Sequence, residues 1–524
     1  MRKTIPSFIL FFCFLVAGVN AVAAKPVMLT SPDGNIVFTF TLNNHQPAYS
    51  IVYKKNPLIN NSPLVLLFDD GNAFASSVIS NKPVSHKETN DYKLIIGKTT
   101  AVHDVCNNTI ISLTGNYKVN IEVKVFNDGV AFRYTFPPQQ KKQFLLKEER
   151  TAFSLNGDPI VKALLLPNYI TSHEGLYRTA ALSEMPSDSL MDMPALFQAG
   201  KTFIAITEAS LLDYAGMYLI KHGGNMEGIL SPLPGTNGVK VKGSFPHQSP
   251  WRVMMISDRM GALLESNILT TLCEPTKFTE TSWIKPGLTT FPWWNGTVIP
   301  DTSFAPGNNF QTNQYYIDFC AANDVRYHTI VEAGGHEWYT NDGTGYQPGK
   351  NADVTKPVDG LDMKAICDYA HAKNVGVRVW VHWKALYPQL DSAFAIFEKW
   401  GLSGMMVDFM DRDDQEMVNI QKEILEKAAR HHLHIQFHGA YKPTGLHRTY
   451  PNEFTREGTL NYENDKWNNL VTPDADLDIA VTRLLAGSTD YHLGGFRASS
   501  FETLKFVIHG HWSLEPVAIC WRCM

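Results

Sequence analysis

The chain has 524 residues, 11% aromatic content, 11 tryptophans and a formal charge of −5 at neutral pH. That length asks for two or more domains, and the lack of a basic excess argues against nucleic acid as a main partner. The first elements in the chain form a leader. Arg2 and Lys3 precede an apolar run from Phe8 to Val19, and Ala21-Val22-Ala23-Ala24 follows with small residues. This is the pattern of a secretory signal peptide over residues 1–24, with a run too short for a comfortable membrane span. Cys13 lies inside the run, away from the cleavage point, so a lipid anchor is not expected. The mature protein is expected to be exported, periplasmic or secreted. Cys106, Cys273, Cys320, Cys367, Cys520 and Cys523 remain after the leader, too scattered for a disulfide framework.

Residues 25–275 read as β structure. VMLTSPDGNIVFTFTLNN and YKVNIEVKVFNDGVAFRYTF alternate apolar and polar residues between PDG and NDG turns. Asp33-Gly34 between two such runs predicts a hairpin. A large antiparallel β-sandwich is the layered solution for many short alternating strands. One acid, Glu174, sits between His173 and Gly175 in a loop-like stretch. An exposed loop acid is its ordinary reading.

Residues 276–287, containing WIKPG, read as a linker, and from 288 the period changes. Short apolar strands (LTTFPWW, YHTIVEAG, VGVRVWVHW, GMMVDFM, HLHIQFHG) alternate with amphipathic helices. Met417, Ile420 and Ile424 give the helix after Asp414 one apolar face. Repeated β-then-α units predict a parallel sheet wrapped by helices, a (β/α)₈ TIM barrel over residues 288–524. Strands six and seven are placed around Leu460 and around AVTRLLAG, and an eighth at TLKFVIH. Only about 17 residues follow Val507, without helical periodicity, so the barrel is expected to lack its last helix.

Asp408, Glu457 and Glu463 stand out in this half. Asp408 ends the apolar run Met405-Met406-Val407, the C-terminal strand end where barrels carry their chemistry. Glu457 and Glu463 follow the next strand. Paired carboxylates on one rim suit glycosidic bond cleavage, with one protonating the departing oxygen and the other attacking carbon or activating water. Asp411, Asp413 and Asp414 are read instead as caps of the helix after strand four. Glu332 and Glu337 near strand two are left open.

WIKPG…WWNG, VDFMDRDDQ, PTGLHRTYPN, TREG and TRLLAGSTDY together resemble the signatures of glycoside hydrolase family 97, over about Lys25 to Phe506. The resemblance implies an N-terminal β-supersandwich, a (β/α)₈ barrel and a small C-terminal β domain, the last of which is not expected within these 524 residues. It also implies a mechanism. The family's inverting branch carries a glutamate base directly after the histidine ending strand five, where this chain reads His438-Gly439. Its retaining branch places an aspartate nucleophile at the end of strand four, which Asp408 matches. Glu463 matches the acid/base. Glu174, Glu457 and Glu463 match the ligands of a Ca²⁺ ion. His382, Lys384, His438 and Trp294 are the expected sugar-binding rim.

The reading is an exported, Ca²⁺-dependent, retaining exo-α-glycosidase acting on an oligosaccharide or α-galactoside, first of all an α-galactosidase. It is expected to be a monomer or weak oligomer, with no nucleic-acid partner and no membrane span. The alternatives are an α-glucosidase, a β-L-arabinopyranosidase or a non-catalytic sugar-binding protein. A metal-dependent hydrolase of the His/Asp type is disfavoured, because no HxH pair follows strand one.

Overall fold

The computed structural model describes residues 25–490. The leader, the expected eighth strand and the Cys520/Cys523 pair lie outside the described residues. Among the latter, no helix is long and apolar enough to cross a membrane. Cys106, Cys273, Cys320 and Cys367 are free and buried.

The N-terminal half is a set of strands from Val27–Thr30 to Trp251–Ser257, joined by antiparallel pairings. Alternation in the sequence becomes burial on one face. Ile36, Phe38, Phe40 and Leu42 of Ile36–Asn43 are buried, as are Val119, Ile121, Val123 and Val125 of Lys118–Phe126. The Asp33-Gly34 hairpin forms as expected. Val27 pairs with Phe40 and Thr30 with Val37, and Gly34 takes a φ of 79°. Phe38, Tyr49 and Phe132 pack ring against ring in the centre. One buried cluster in this half is charged. Arg252 Nε and Nη2 donate to Glu149 at 2.6 and 2.8 Å, and Nη1 donates to Glu208 at 2.7 Å, all three side chains fully buried.

Six parallel strands make the sheet of the second half: β1 (Thr289–Thr290), β2 (Tyr327–Ile330), β3 (Gly376–His382), β4 (Gly404–Asp408), β5 (His434–Phe437) and β6 (Glu453–Arg456). Each pairs in parallel with the next in chain order. Helices α1 (Phe310–Ala322), α2 (Met363–His371), α3 (Leu390–Trp400) and α4 (Gln415–Arg430) fall between them, and α5 (Pro473–Val481) follows. Asn309, Asp362, Asp414 and Thr472 cap four of these helices with their side chains. The apolar face read from Met417, Ile420 and Ile424 is buried.

Two expected strands are corrected. Strand six is EFTR, not the stretch around Leu460. It has no apolar run because an ion pair fills its buried side: Arg456 Nε donates to Glu453, and its guanidinium lies 4.9 Å from the Phe437 ring centre. The AVTRLLAG stretch is not a strand either. Its first residues end α5, and Arg483–Leu485 form a 3₁₀ turn. Pro473 at the first helical position, Thr472 as cap, and Asp474 and Asp476 in the first turn start a helix there.

Candidate active site

Register brings the strand ends together. His382 pairs with Asp408 across β3 and β4, and Val407 pairs with Phe437, so His438 follows one step beyond on β5. Phe437 pairs with Arg456, which sets Glu457 beside His438. Glu463 lies further on, in the 3₁₀ turn Tyr462–Lys466, and Asn461 ties it to Glu457. The Asn461 side chain accepts from the Glu463 amide and donates to Glu457 Oε1, both at 2.9 Å.

Asp408 is held from several sides. Trp380 Nε1 donates to its Oδ2 at 2.8 Å, the Phe409 amide donates to Oδ1, and His438 Nδ1 stands 3.2 Å from Oδ2. Burial pushes this carboxyl up, but the His438 charge and these hydrogen bonds outweigh it and hold it below the usual carboxylate range. His438 is the opposite case. Burial disfavours its charged ring, yet Glu457 at 2.9 Å, Asp408, and Asp490 at 3.0 Å from Nε2 raise it well above the ordinary histidine value. Both ring nitrogens of this expected sugar contact therefore face carboxylates. Asp408 is thus an ionised carboxylate at pH 7, with a buried imidazolium beside it.

Gly439 explains the space around it. A Cβ at Gly439 would lie 2.7 Å from Asp411 Oδ1 and 3.5 Å from Asp408 Oδ1, and the residue has a φ of 50°. A side chain at 439 would crowd the volume these two carboxylates occupy. Burial and the Asp408 charge push Asp411 up to about 6. Of the three acids expected to cap α4, only Asp414 does, accepting from the Glu416 and Met417 amides. Asp411 turns toward the site. Asp413 is fully buried against the β domain, where the Gly216 amide donates to its carbonyl at 2.8 Å.

The other expected residues divide. His382 is buried and stacked on Phe409, with burial pushing it down to about 4, so it is neutral at pH 7. Lys384 is exposed, 5.9 Å over the Trp383 ring. Trp294 is half-buried in the 3₁₀ turn Pro292–Asn295, with Lys466 Nζ at 3.5 Å from its carbonyl. Glu332 accepts from Trp293 Nε1 at 3.2 Å. Trp380, Asn461 and Asp490 were not singled out by sequence. Only Trp380 carried a signal there, as an alternate position of strand three beside His382.

Glu174 reaches this rim from the β domain. The Thr171 amide donates to the Asp411 carbonyl at 2.9 Å, and His173 Nδ1 is anchored 2.8 Å from Asp192. Asn464 Nδ2 donates to Glu174 Oε1 at 3.4 Å. Among the described residues, ligand atoms of His438, Glu457 and Glu463 all lie within 4.8 Å of one another. Glu174 stands beside that group rather than in it. Burial, then the Glu463 charge, push Glu174 up to about 7. Burial pushes Glu457 to about 7 as well, with the Glu174 charge adding to it and the His438 charge opposing. The site has more buried carboxylate than cation to balance it.

Comparison with known proteins agrees in both halves. Residues 29–275 match the glycosyl-hydrolase 97 N-terminal family, and residues 293–459 match glycoside hydrolase 97. A "Retaining alpha-galactosidase" of Bacteroides thetaiotaomicron is 30% identical over 510 residues, 91% of this chain and 74% of that protein. A "Probable retaining alpha-galactosidase" of Streptomyces bingchenggensis is 28% identical over 386 residues, 73% of this chain and 56% of its own. Among solved structures, a family 97 enzyme from Pseudoalteromonas sp. strain K8, in complex with acarbose, superposes with a TM-score of 0.80 at 28% identity. That match covers 89% of this chain and 74% of the other. This chain belongs to glycoside hydrolase family 97.

Proposed function

We propose that this glycosidase is an exported, Ca²⁺-dependent, retaining exo-α-galactosidase. The observation that carries the reading is the environment of Asp408: an ionised, oriented carboxylate at the end of β4, with glycine at the position that would otherwise crowd it. The names of the two curated relatives support the same mechanism. Asp408 attacks the anomeric carbon while Glu463 gives its proton to the departing oxygen. The glycosidic C–O bond breaks, and the sugar is left esterified to Asp408. Glu463 then takes a proton from water, which attacks the same carbon, frees Asp408 and releases the sugar with its α configuration. Two inversions give retention. His438 and Trp380 hold Asp408 ionised and aimed for its attack and take back its charge when the ester breaks. The leader-like residues 1–24 support export.

The carboxylates present fit a hard divalent cation. Glu174, Glu457 and Glu463 supply oxygen donors, and burial first, then a neighbouring glutamate's charge, push Glu174 and Glu457 up to about 7. When bound there, Ca²⁺ supplies charge that offsets the crowded carboxylates and orients the acid.

Proton NMR of the sugar first released from an aryl α-galactoside is expected to give α-galactose. β-Galactose as first product would overturn the Asp408 assignment. Chelation is expected to cut kcat/KM by about tenfold or more, with Ca²⁺ restoring it. Free Ca²⁺ at about a hundred times its Kd should also stabilise the fold by roughly 2.7 kcal/mol, read as a rise in Tm. An unchanged Tm across a Ca²⁺ titration would remove the metal from the reading.

Glu463→Gln is expected to lower kcat by roughly 10²–10⁴-fold on galactosides whose leaving group is a sugar. The loss should be far smaller on galactosyl fluoride, whose leaving group needs little protonation. Equal losses on both substrates would take the proton-donor role away from Glu463.

A further inference from the structure

Trp467 has no part in the mechanism above, yet its surroundings tie it to the site. It is 44% exposed, whereas Trp251, Trp338 and Trp380 are buried. The ring is nevertheless fixed. Its Nε1 donates to Asn464 Oδ1 at 3.1 Å, and it meets Trp293 edge to face at 6.3 Å between ring centres and 70° between planes. Asn464 uses its other amide atom on Glu174. Trp293 in turn donates to Glu332 on the rim and carries the Lys466 ammonium 3.6 Å over its ring. An exposed indole held at both its polar tip and its edge gives up side-chain freedom and gains no core burial.

Its position relative to Glu463 says what it can meet. Trp467 follows the 3₁₀ turn that holds Glu463, four residues on, about 8 Å along the axis at 2 Å per residue. In the reaction the acid touches the glycosidic oxygen, so the leaving group starts at Glu463 and runs outward from it. We infer that Trp467 is the platform for the leaving group, taking the apolar face of a pyranose or aryl ring attached to the departing oxygen. This rests on the retaining galactosidase reading and adds to it the side on which the aglycone docks. An aromatic ring there favours substrates whose leaving group is itself a ring, and gives nothing to one with a single-atom leaving group.

Two substrates separate the roles: an α-1,6-linked galactosyl-glucose disaccharide, with a sugar leaving group, and α-galactosyl fluoride, with none to stack. Trp467→Ala is expected to lower kcat/KM on the disaccharide about tenfold, mostly through KM, and to leave the fluoride within twofold of the parent enzyme. Trp467→Phe should recover much of the loss. Equal losses on both substrates, or no loss on the disaccharide, would overturn the platform. A parent enzyme inert on both would overturn the galactosidase reading itself, and the platform with it.

Discussion

Asp408→Ala is expected to lower kcat on an aryl α-galactoside by on the order of 10⁴-fold or more, with the fold intact. The effect is large because, among the described residues, no other carboxylate stands ready in its place. Gly439 offers no carboxylate, Asp411 is pushed up to about 6, and Glu457 is engaged by His438, Asn461 and the Gly439 amide. The variant removes the carboxylate but keeps Glu463, so departure of the leaving group can still be assisted. Azide should therefore restore part of the turnover by entering the space left by the side chain. It attacks carbon once, from the face Asp408 used, so the product is β-galactosyl azide. Rescue with that stereochemistry assigns the nucleophile. Undiminished activity, or an α-configured azide, would sink the assignment. Asp408→Asn is a useful companion because it keeps the volume and the Trp380 hydrogen bond while losing the charge.

How far the sequence carried depends on what each residue needed. Asp408 was legible because three apolar residues ran straight into it, and a buried strand must end at a rim. Strand β6 was not, since its inward side is satisfied by Arg456 and Glu453 rather than by apolar side chains, and no hydrophobic pattern marks an ion pair. Asp413 misled for a related reason. A local charge argument made it a helix cap, but Gly216, distant in sequence, leaves the room in which its carboxylate lies. A Cβ there would come within 2.0 Å of Asp413 Oδ2. Glu174 showed in the sequence only as a loop acid, and its metal role entered through the resemblance. His438 follows strand five as read, but its bonds to Asp408, Glu457 and Asp490 join three separate stretches of chain, and no local pattern carries them.

Arg252→Met is expected to destabilise the protein by about 3–5 kcal/mol, a fall in Tm of roughly 10 °C, because it strands buried carboxylates. Arg252 is fully buried and holds Glu149 with two hydrogen bonds and Glu208 with one. Burial alone would pull the guanidinium down, and the two glutamates outweigh that. With methionine in its place, the donors left to the Glu149 carboxylate among the described residues are hydroxyls, Tyr214 at 2.8 Å and Thr151 at 3.3 Å. Glu208 fares better, since Lys442 Nζ donates to it at 2.6 Å from the loop after β5. That second bond crosses between the two halves of the molecule. Lys442 also feels Asp413 and Asp192, so the same buried charges brace the loop after β4 and the residue that anchors His173 beside Glu174. The loss should therefore show in activity as well as in Tm, with Ca²⁺ affinity falling alongside kcat. Adding Glu149→Gln to Arg252→Met removes the stranded charge and should recover a good part of the stability. If the single variant melts like the parent, the cluster is not the brace this geometry describes. If the double variant recovers Tm but not kcat, the charges matter to the rim beyond holding the domain together.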